Sequence, residues 1–334
     1  MKAYIVKKYS KKDKLQLTDW AEPTVNENDV LVQVHSAGVN LLDSLIRNGE
    51  FKLFLPYKPP FVNGHDVAGI VKKIGSKVSN FKVGDEVYSR VSDYRIGTFA
   101  EYISIDEKDV SLKPTNISME EASSIPLVGL TAWQAFVEIG KIKSGQKVFI
   151  QAGSGGVGTF AIQLAKHLGA FVATTTSTKN IDLVKSLGAD LIIDYKTEDF
   201  ETKLKDYDLV LHSNRDTKIL DKSLRILKSG GKLISLVGPP TPEFAAQIGF
   251  PWYLKLVTKL ISSRAKKNAK KLNTSFVFLF MRSEGKQLSQ ITKLIEAGVI
   301  KPVIDKVFPF EQINEAMSYV ETGRSKGKVV VKVK

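Results

Sequence analysis

The chain has 334 residues, 43% of them apolar and 25% charged, and its Lys and Arg exceed its Asp and Glu by a net charge of +14. These proportions belong to a globular protein long enough for two domains with full cores, and no apolar run reaches the length of a membrane span. Cysteine is absent, which excludes disulfides, thiolate nucleophiles and every zinc site that needs sulfur; no nucleic-acid-binding motif accompanies the positive charge, so nucleic acid is not expected as a partner.

The first residues, Met1 to Lys8, lack the apolar stretch of a signal peptide, and a cytoplasmic protein is expected. Up to about residue 124 the runs Val30–Val34, Val67–Ile74, Glu86–Arg90 and Phe99–Ile105 read as short strands broken by glycine. Helical patterning is scarce there, so the spacing predicts a β-rich domain. Gly84-Asp85 reads as a turn before a strand. From about residue 125 strands alternate with helices. Strands are predicted at 147–151, 170–175, 191–194, 208–212, 232–237 and 276–280, with Gly169, Gly188 and Gly230-Gly231 where helices should stop. That alternation is the signature of a parallel, doubly wound sheet. Residues 282–334 hold a helix around Leu288–Ala297, another around Ile313–Glu321 and a terminal strand Lys328–Val333. They are too few for a domain of their own and are expected to return to the first. The partition predicted is 1–124, 125–281 and 282–334.

The stretch Ala152-Gly153-Ser154-Gly155-Gly156-Val157-Gly158 joins the strand Val148-Phe149-Ile150 to apolar positions at helical spacing: Val157, Phe160, Ala161, Leu164, Ala165 and Leu168. Gly153, Gly155 and Gly158 fill the three glycines of a dinucleotide-binding turn. The first makes the bend, the second admits a pyrophosphate close to the backbone, and the third lets helix and strand touch. The helix N-terminus offers N–H groups and partial positive charge to the phosphates. An NAD-preferring fold places Asp or Glu roughly 20 residues past the glycines, yet no acidic residue occurs between Glu138 and Asp182. The second strand ends instead Thr174-Thr175-Thr176-Ser177-Thr178-Lys179. Hydroxyls and an ammonium suit a 2′-phosphate, so NADPH is the expected cofactor, with Thr176, Ser177 and Lys179 as candidate contacts.

Several segments together resemble the zinc-independent quinone oxidoreductases of the medium-chain dehydrogenase/reductase superfamily. They are Ala37-Gly38-Val39-Asn40 with Asp43 and Arg47, Gly64-His65-Asp66-Val67-Ala68-Gly69, Val83-Gly84-Asp85-Glu86-Val87, Gly97-Thr98-Phe99-Ala100-Glu101-Tyr102, Ile125-Pro126-Leu127 with Gly129-Leu130-Thr131-Ala132-Trp133, the glycine loop, Gly298-Val299-Ile300-Lys301-Pro302 and Gly327-Lys328-Val329-Val330. The resemblance spans essentially the whole chain. It implies an α/β protein in which a GroES-like β-rich catalytic domain, split in sequence, accompanies a Rossmann doubly wound parallel sheet. It also implies an NADPH-dependent oxidoreductase that passes a hydride to a quinone or an α,β-unsaturated carbonyl, and a homodimer. A saturated aldehyde or alcohol reductase and a non-catalytic, redox-sensing NADPH-binding protein are the alternatives.

By the same resemblance Asn40 and Asp43 line the cleft near the nicotinamide, and a polar turn with a helix cap is the other reading of the pair. Thr131, Gly238, Phe278 and Phe280 lie along the cofactor, and Tyr195 contacts the 2′-phosphate. Zinc-dependent relatives hold their metal with a cysteine and the histidine of Gly-His-Glu. Here His65 stands in Gly-His-Asp with no thiolate available, so no metal is expected. Phe51 and His212-Ser213-Asn214 depart from the family's tyrosine and its Asp-Thr/Val-Gly pattern. Residues 251–272 form a distinctive insert. Lys255, Lys259, Arg264, Lys266, Lys267, Lys270 and Lys271 occur there without an acid, and Trp252, Leu256, Leu260 and Ile261 fall on one helical face. Weak contact with an anionic membrane and a solvated helix covering its own domain are the two readings.

Overall fold

The computed structural model describes every residue except 53, 54 and 56. The chain divides into two units, residues 1–130 with 282–334, and residues 131–281. The first begins with β1 (Lys2–Val6), antiparallel to β2 (Gln16–Asp19), and continues into the 11-residue β3 (Asp29–Val39). β3 alternates buried valines with the half-buried Leu31, Gln33 and His35 and is buried on both sides from Ser36 on. A helix follows at once, α1 (Leu41–Arg47), capped by Asn40 and by the carboxylate of Asp43 in a capping box. Then come β4 (Phe61–Val62), β5 (Asp66–Ile74), β6 (Glu86–Arg90), β7 (Tyr102–Asp106), β8 (Val110–Leu112), α2 (Met119–Ser123) and α3 (Pro126–Trp133), within which the two units part. A π-helical turn, Gln134–Ile139, continues α3.

The second unit is β9 (Lys147–Ile150), α4 (Gly156–His167), β10 (Phe171–Thr176), α5 (Ile181–Ser186), β11 (Leu191–Asp194), α6 (Phe200–Lys203), β12 (Tyr207–His212), α7 (Thr217–Arg225), β13 (Leu227–Ser235), α8 (Pro242–Gln247), α9 (Trp252–Lys271) and β14 (Ser275–Phe278). Its strands form one parallel sheet in the order β11-β10-β9-β12-β13-β14. The order reverses between β9 and β12, which places the turn after β9 at the topological switch point, where such sheets bind ligands. Gly169 and Gly188 follow α4 and α5 with positive φ, as helix-stopping glycines do. Gly230-Gly231 differ from expectation. α7 has already ended, and the pair lies inside β13, in a register irregularity between Tyr207 and Leu209 of β12.

The chain then returns to the first unit with α10 (Gly285–Glu296), β15 (Ile304–Pro309), α11 (Ile313–Glu321) and β16 (Lys328–Lys332). β16 pairs with β3 and completes a seven-stranded sheet, β15-β16-β3-β5-β6-β8 with β7 on β3. Its core joins Val30, Val32, Val34 and Ala37 of β3 to Val67, Val87, Ile103, Val329 and Val331. Among the described residues no helix is long and apolar enough to cross a membrane.

One buried carboxyl in this unit carries a stability prediction. Asp109 is 4% exposed; burial pushes its carboxyl up to about 6, with Lys108 opposing and Asp106 reinforcing the rise. Between the ordinary carboxylate value and about 6 the folded state therefore binds more protons than the unfolded chain, so this group's contribution falls as pH rises through that window. Asp109→Asn should stabilise the fold at pH 7–8 by about 1–2 kcal/mol, after allowing for solvent screening, and have little effect near pH 4. Urea denaturation at the two pH values checks it.

Candidate active site

The glycine loop leaves β9 through Gln151 and Ala152, whose φ of 53° is unusual for a residue with a side chain. Hydrogen bonds fix it to the next strand: the N–H of Gly153 donates to Thr175 O at 2.9 Å, and that of Ala152 to Thr175 Oγ1 at 3.1 Å. The three glycines then separate by environment. A Cβ on Gly153 would lie 2.1 Å from Thr174 Oγ1, and one on Gly158 would lie 2.3 Å from Ala152 O and 2.6 Å from the Cα of Gly153. A Cβ on Gly155 would meet only Ala152 O, at 3.3 Å. Gly153 thus faces packed side chains and Gly158 packed backbone, while Gly155 meets a single backbone oxygen on an otherwise open side, as a pyrophosphate lying on the loop requires. Gly153 and Gly158 are buried, while Ser154, Gly155, Gly156 and Val157 form a half-exposed rim. α4 begins at Gly156, and the N–H groups of Gly156, Val157 and Gly158 precede its first intrahelical bond, Thr159 N–H to Gly155 O at 3.0 Å.

Ser154 sits at the centre of a hydroxyl and amide cluster. Its Oγ accepts from Thr176 Oγ1 at 2.9 Å and from Asn180 Nδ2 at 3.0 Å. With both lone pairs engaged, the Ser154 proton remains to be donated. Thr176 and Ser177 are both buried; the Thr176 hydroxyl is committed to Ser154 and is not itself an open contact. Lys179 and Tyr195 are exposed. A carboxylate missed by counting from the glycines also enters here. β10 and β11 pair with Thr176 opposite Asp194, and Thr178 Oγ1 donates to Asp194. That hydroxyl and the backbone N–H of Lys196 hold the Asp194 carboxyl below its usual range. Its signal in the sequence is its place at the carboxyl end of the third strand, level with the end of the second.

Toward the far edge of the same sheet, His212, Ser235 and Phe278 stand in register across β12, β13 and β14. His212 Nδ1 and Ser235 Oγ are buried with no hydrogen-bond partner, and burial pulls the His212 imidazole down to about 4, so it is neutral at pH 7. A Cβ on Gly238 would lie 2.6 Å from Ser235 Oγ and 3.1 Å from Phe276. Phe244 of α8 meets Phe278 edge-on and Phe280 at a tilt, each with ring centroids 5.2 Å apart. Thr131 is buried near the end of α3. The two unpartnered polar atoms at the carboxyl edge, the open face of Gly155 and the spare Ser154 proton are all features that a bound dinucleotide would complete.

Asn40 and Asp43 belong to a separate, closed network in the first unit. Asp43 is fully buried; its Oδ2 accepts the Asn40 backbone N–H at 2.8 Å, and its Oδ1 lies 2.6 Å from His65 Nδ1. Asn40 Nδ2 donates to Asp66 Oδ2 at 3.0 Å, while Lys328 Nζ donates to Asn40 Oδ1 and lies 3.4 Å from Asp66 Oδ2. Asp66 Oδ1 takes the N–H of Leu127 at 2.9 Å. Burial pushes the Asp66 carboxyl up, and Lys328 and then Asn40 oppose that rise. Both ends of the Asn40 amide are therefore engaged, and Asp43 acts as a helix cap and a histidine anchor. His65 Nε2 is buried and unpartnered. No group of three His, Asp or Glu residues suited to a metal occurs among the described residues. Lys328 and Asp66, read from the sequence only as motif members, are the charged centre of this network.

Comparison with known proteins agrees with this architecture. A family model for the alcohol dehydrogenase GroES-like domain matches residues 26–115, and one described as a zinc-binding dehydrogenase matches residues 187–331. The chloroplastic NADPH-dependent alkenal/one oxidoreductase of Arabidopsis thaliana is 36% identical over 342 residues, covering 99% of this chain and 79% of the relative. The 2-methylene-furan-3-one reductase of Solanum lycopersicum has the same identity and coverage. The solved quinone oxidoreductase of Coxiella burnetii matches with a TM-score of 0.87 and 30% identity, over 100% of this chain and 99% of its own.

Proposed function

We propose that this chain, which belongs to the zinc-independent quinone oxidoreductase-like branch of the medium-chain dehydrogenase/reductase superfamily, reduces quinones or α,β-unsaturated carbonyls with NADPH. When bound, NADPH supplies the hydride. The observation that carries the reading is the division of labour among the three glycines, with only Gly155 open, at the switch point of a parallel sheet. Gly153, Gly155, Gly156, Val157 and Gly158 would hold the pyrophosphate, and Ser154 would donate its free proton to a phosphate oxygen. Ser177, Lys179 and Tyr195 are assigned to the 2′-phosphate, with Thr176 holding Ser154 in place. Thr131, Gly238, Phe278 and Phe280 are assigned to the nicotinamide end. Asn40 and Asp43 are assigned as positioning residues, because their polar atoms are engaged with Asp66, Lys328 and His65.

Cysteine is absent, so the thiolate that helps hold catalytic zinc in zinc-dependent relatives has no counterpart here, and we base the choice of acceptor on a reaction without that zinc. Its acceptor must be electrophilic by conjugation, and the proton that follows the hydride can come from water. NADPH oxidation should therefore be at least about a hundredfold faster with quinones and enones than with saturated aldehydes or ketones, since the zinc of the zinc-dependent relatives would supply several kcal/mol toward an isolated carbonyl. NADPH should bind over tenfold more tightly than NADH, as one or two charge-assisted contacts supply about 1.5–3 kcal/mol, and Lys179→Asp should erase most of that preference. Faster turnover of saturated substrates, or equal affinities in the parent protein, would refute the respective half. A homodimer is proposed on the family resemblance and is checked by light scattering. A cytoplasmic location is proposed too, although relatives are named chloroplastic and mitochondrial; cell fractionation tests it.

A further inference from the structure

Helix α9 turns its apolar side chains outward. Its buried positions are Thr258, Ser262, Ala265 and Ala269, a single stripe at helical spacing. Asn268 and Arg264 reach Asp221 of α7 at 2.9 and 2.8 Å, and Lys266 pairs with Glu243 of α8 at 2.6 Å. Small residues and side pairs thus seat the helix on its unit. The solvent side of the helix carries Trp252, Tyr253, Leu256, Val257, Leu260 and Ile261, all exposed, with Leu260 at 74% and Trp252 at 73%. At 100° per residue Leu256 and Leu260 lie nearly opposite the buried stripe. The same outward face continues into Lys267, Lys270 and Lys271, all exposed, and α9 holds no acidic residue. Along its length, therefore, the exposed face is mostly apolar with an aromatic tip for its first half, with Lys259 at its margin, and cationic for its second.

We infer that this face of α9 docks on the surface of an anionic lipid bilayer. Six exposed apolar side chains on one helix form a patch of the kind that marks an interaction site. Trp and Tyr at its start suit the boundary between acyl chains and headgroups, where an apolar ring and a polar edge are both satisfied. The cations on the same face complement lipid phosphates, and the chain's net charge of +14 adds long-range attraction to an anionic surface. A second copy seated there would set Lys267, Lys270 and Lys271 against a helix face of the same sign. The helix lies flat on the bilayer, since it is not apolar enough to span one. This attachment is separate from the reaction and holds whichever acceptor is reduced.

The test uses the full-length protein with vesicles of phosphatidylglycerol and phosphatidylcholine, and with phosphatidylcholine alone. Sedimentation with the anionic vesicles at low salt should exceed that with neutral ones at least about tenfold, and should fall as salt is added. Tryptophan emission should shift to the blue on attachment, and Trp252→Phe should remove that shift. Leu256→Glu with Leu260→Glu changes only exposed positions and leaves every cation in place; it should reduce attachment at least about tenfold. Lys267→Gln with Lys270→Gln and Lys271→Gln should weaken it by a smaller factor. Absence of attachment to anionic vesicles overturns the inference. So does attachment undiminished by the two glutamates, which would make it charge alone. A lipid-free oligomer that these glutamates convert to monomer, with no vesicle binding by the parent, would assign the face to a second copy instead.

Discussion

Gly155→Ala is expected to fold like the parent and to bind NADPH at least about tenfold more weakly, a loss of about 1.4 kcal/mol, whereas Gly158→Ala is expected to fail already in folding. The two glycines are three residues apart in one loop, and what separates them is what a methyl group would meet. At Gly155 the nearest atom is Ala152 O at 3.3 Å, and the backbone there, φ −81° and ψ 175°, is open to any residue. The added carbon would stand on the half-exposed rim where we place the pyrophosphate. At Gly158 the nearest atoms are all backbone: Ala152 O at 2.3 Å, Gly153 Cα at 2.6 Å and Gly153 C at 2.8 Å. No side chain can swing aside, so α4 has to lift from the loop, at a cost of about 3 kcal/mol or more. Denaturant melts and a fluorescence titration with NADPH, run on both variants, separate the outcomes. A Gly155→Ala protein with parental affinity would remove the pyrophosphate from this rim.

How much of this is legible in the sequence depends on the range over which each feature is encoded. The loop from Gly153 to Gly158 is local, and its flanking periods of two and 3.6 identify strand and helix directly. β11 at Leu191–Asp194 and α11 at Ile313–Glu321 fall where patterning puts them. β2 escapes because Gln16–Asp19 is mostly exposed and carries no apolar alternation; the strand exists through its pairing with Lys2–Ile5. Asp194 escapes because its relevance comes from strand adjacency across the sheet. α9 is legible as a basic helix with apolar residues on one side, but not in its orientation. Apolar periodicity ordinarily marks the buried face, and here Ala and Thr, weak signals on any hydropathy scale, form it instead. The polar reading of Asn40 and Asp43 as turn and cap describes the geometry found, but the partners that close it come from β5 and β16, far along the chain.

Lys328→Met should be the most damaging single change in that network, costing about 3–5 kcal/mol of stability, because it leaves a buried carboxylate without its cation. Asp66 is fully buried, and the ammonium of Lys328, itself 5% exposed, most strongly opposes the rise that burial imposes on its carboxyl. Without the lysine that carboxyl rises further above its unfolded value. A carboxyl raised in the folded state binds more protons there than in the unfolded chain, so its contribution falls as pH increases. The loss in Lys328→Met should accordingly be larger at pH 8 than at pH 5. Asp66→Asn combined with Lys328→Met removes the charge while keeping an acceptor for the Leu127 N–H, and should recover much of the loss. A penalty independent of pH, or a double variant no better than the single, would mean that Lys328 acts through packing of its stem alone. The double variant also isolates Asn40. Its amide is oriented by Lys328 at Oδ1 and by Asp66 at Nδ2, and with both charges gone the fold is kept while that orientation is released. If Asn40 positions the reacting partners, kcat should fall in this stable protein while NADPH affinity, which we assign to the loop at Gly155, stays as it was.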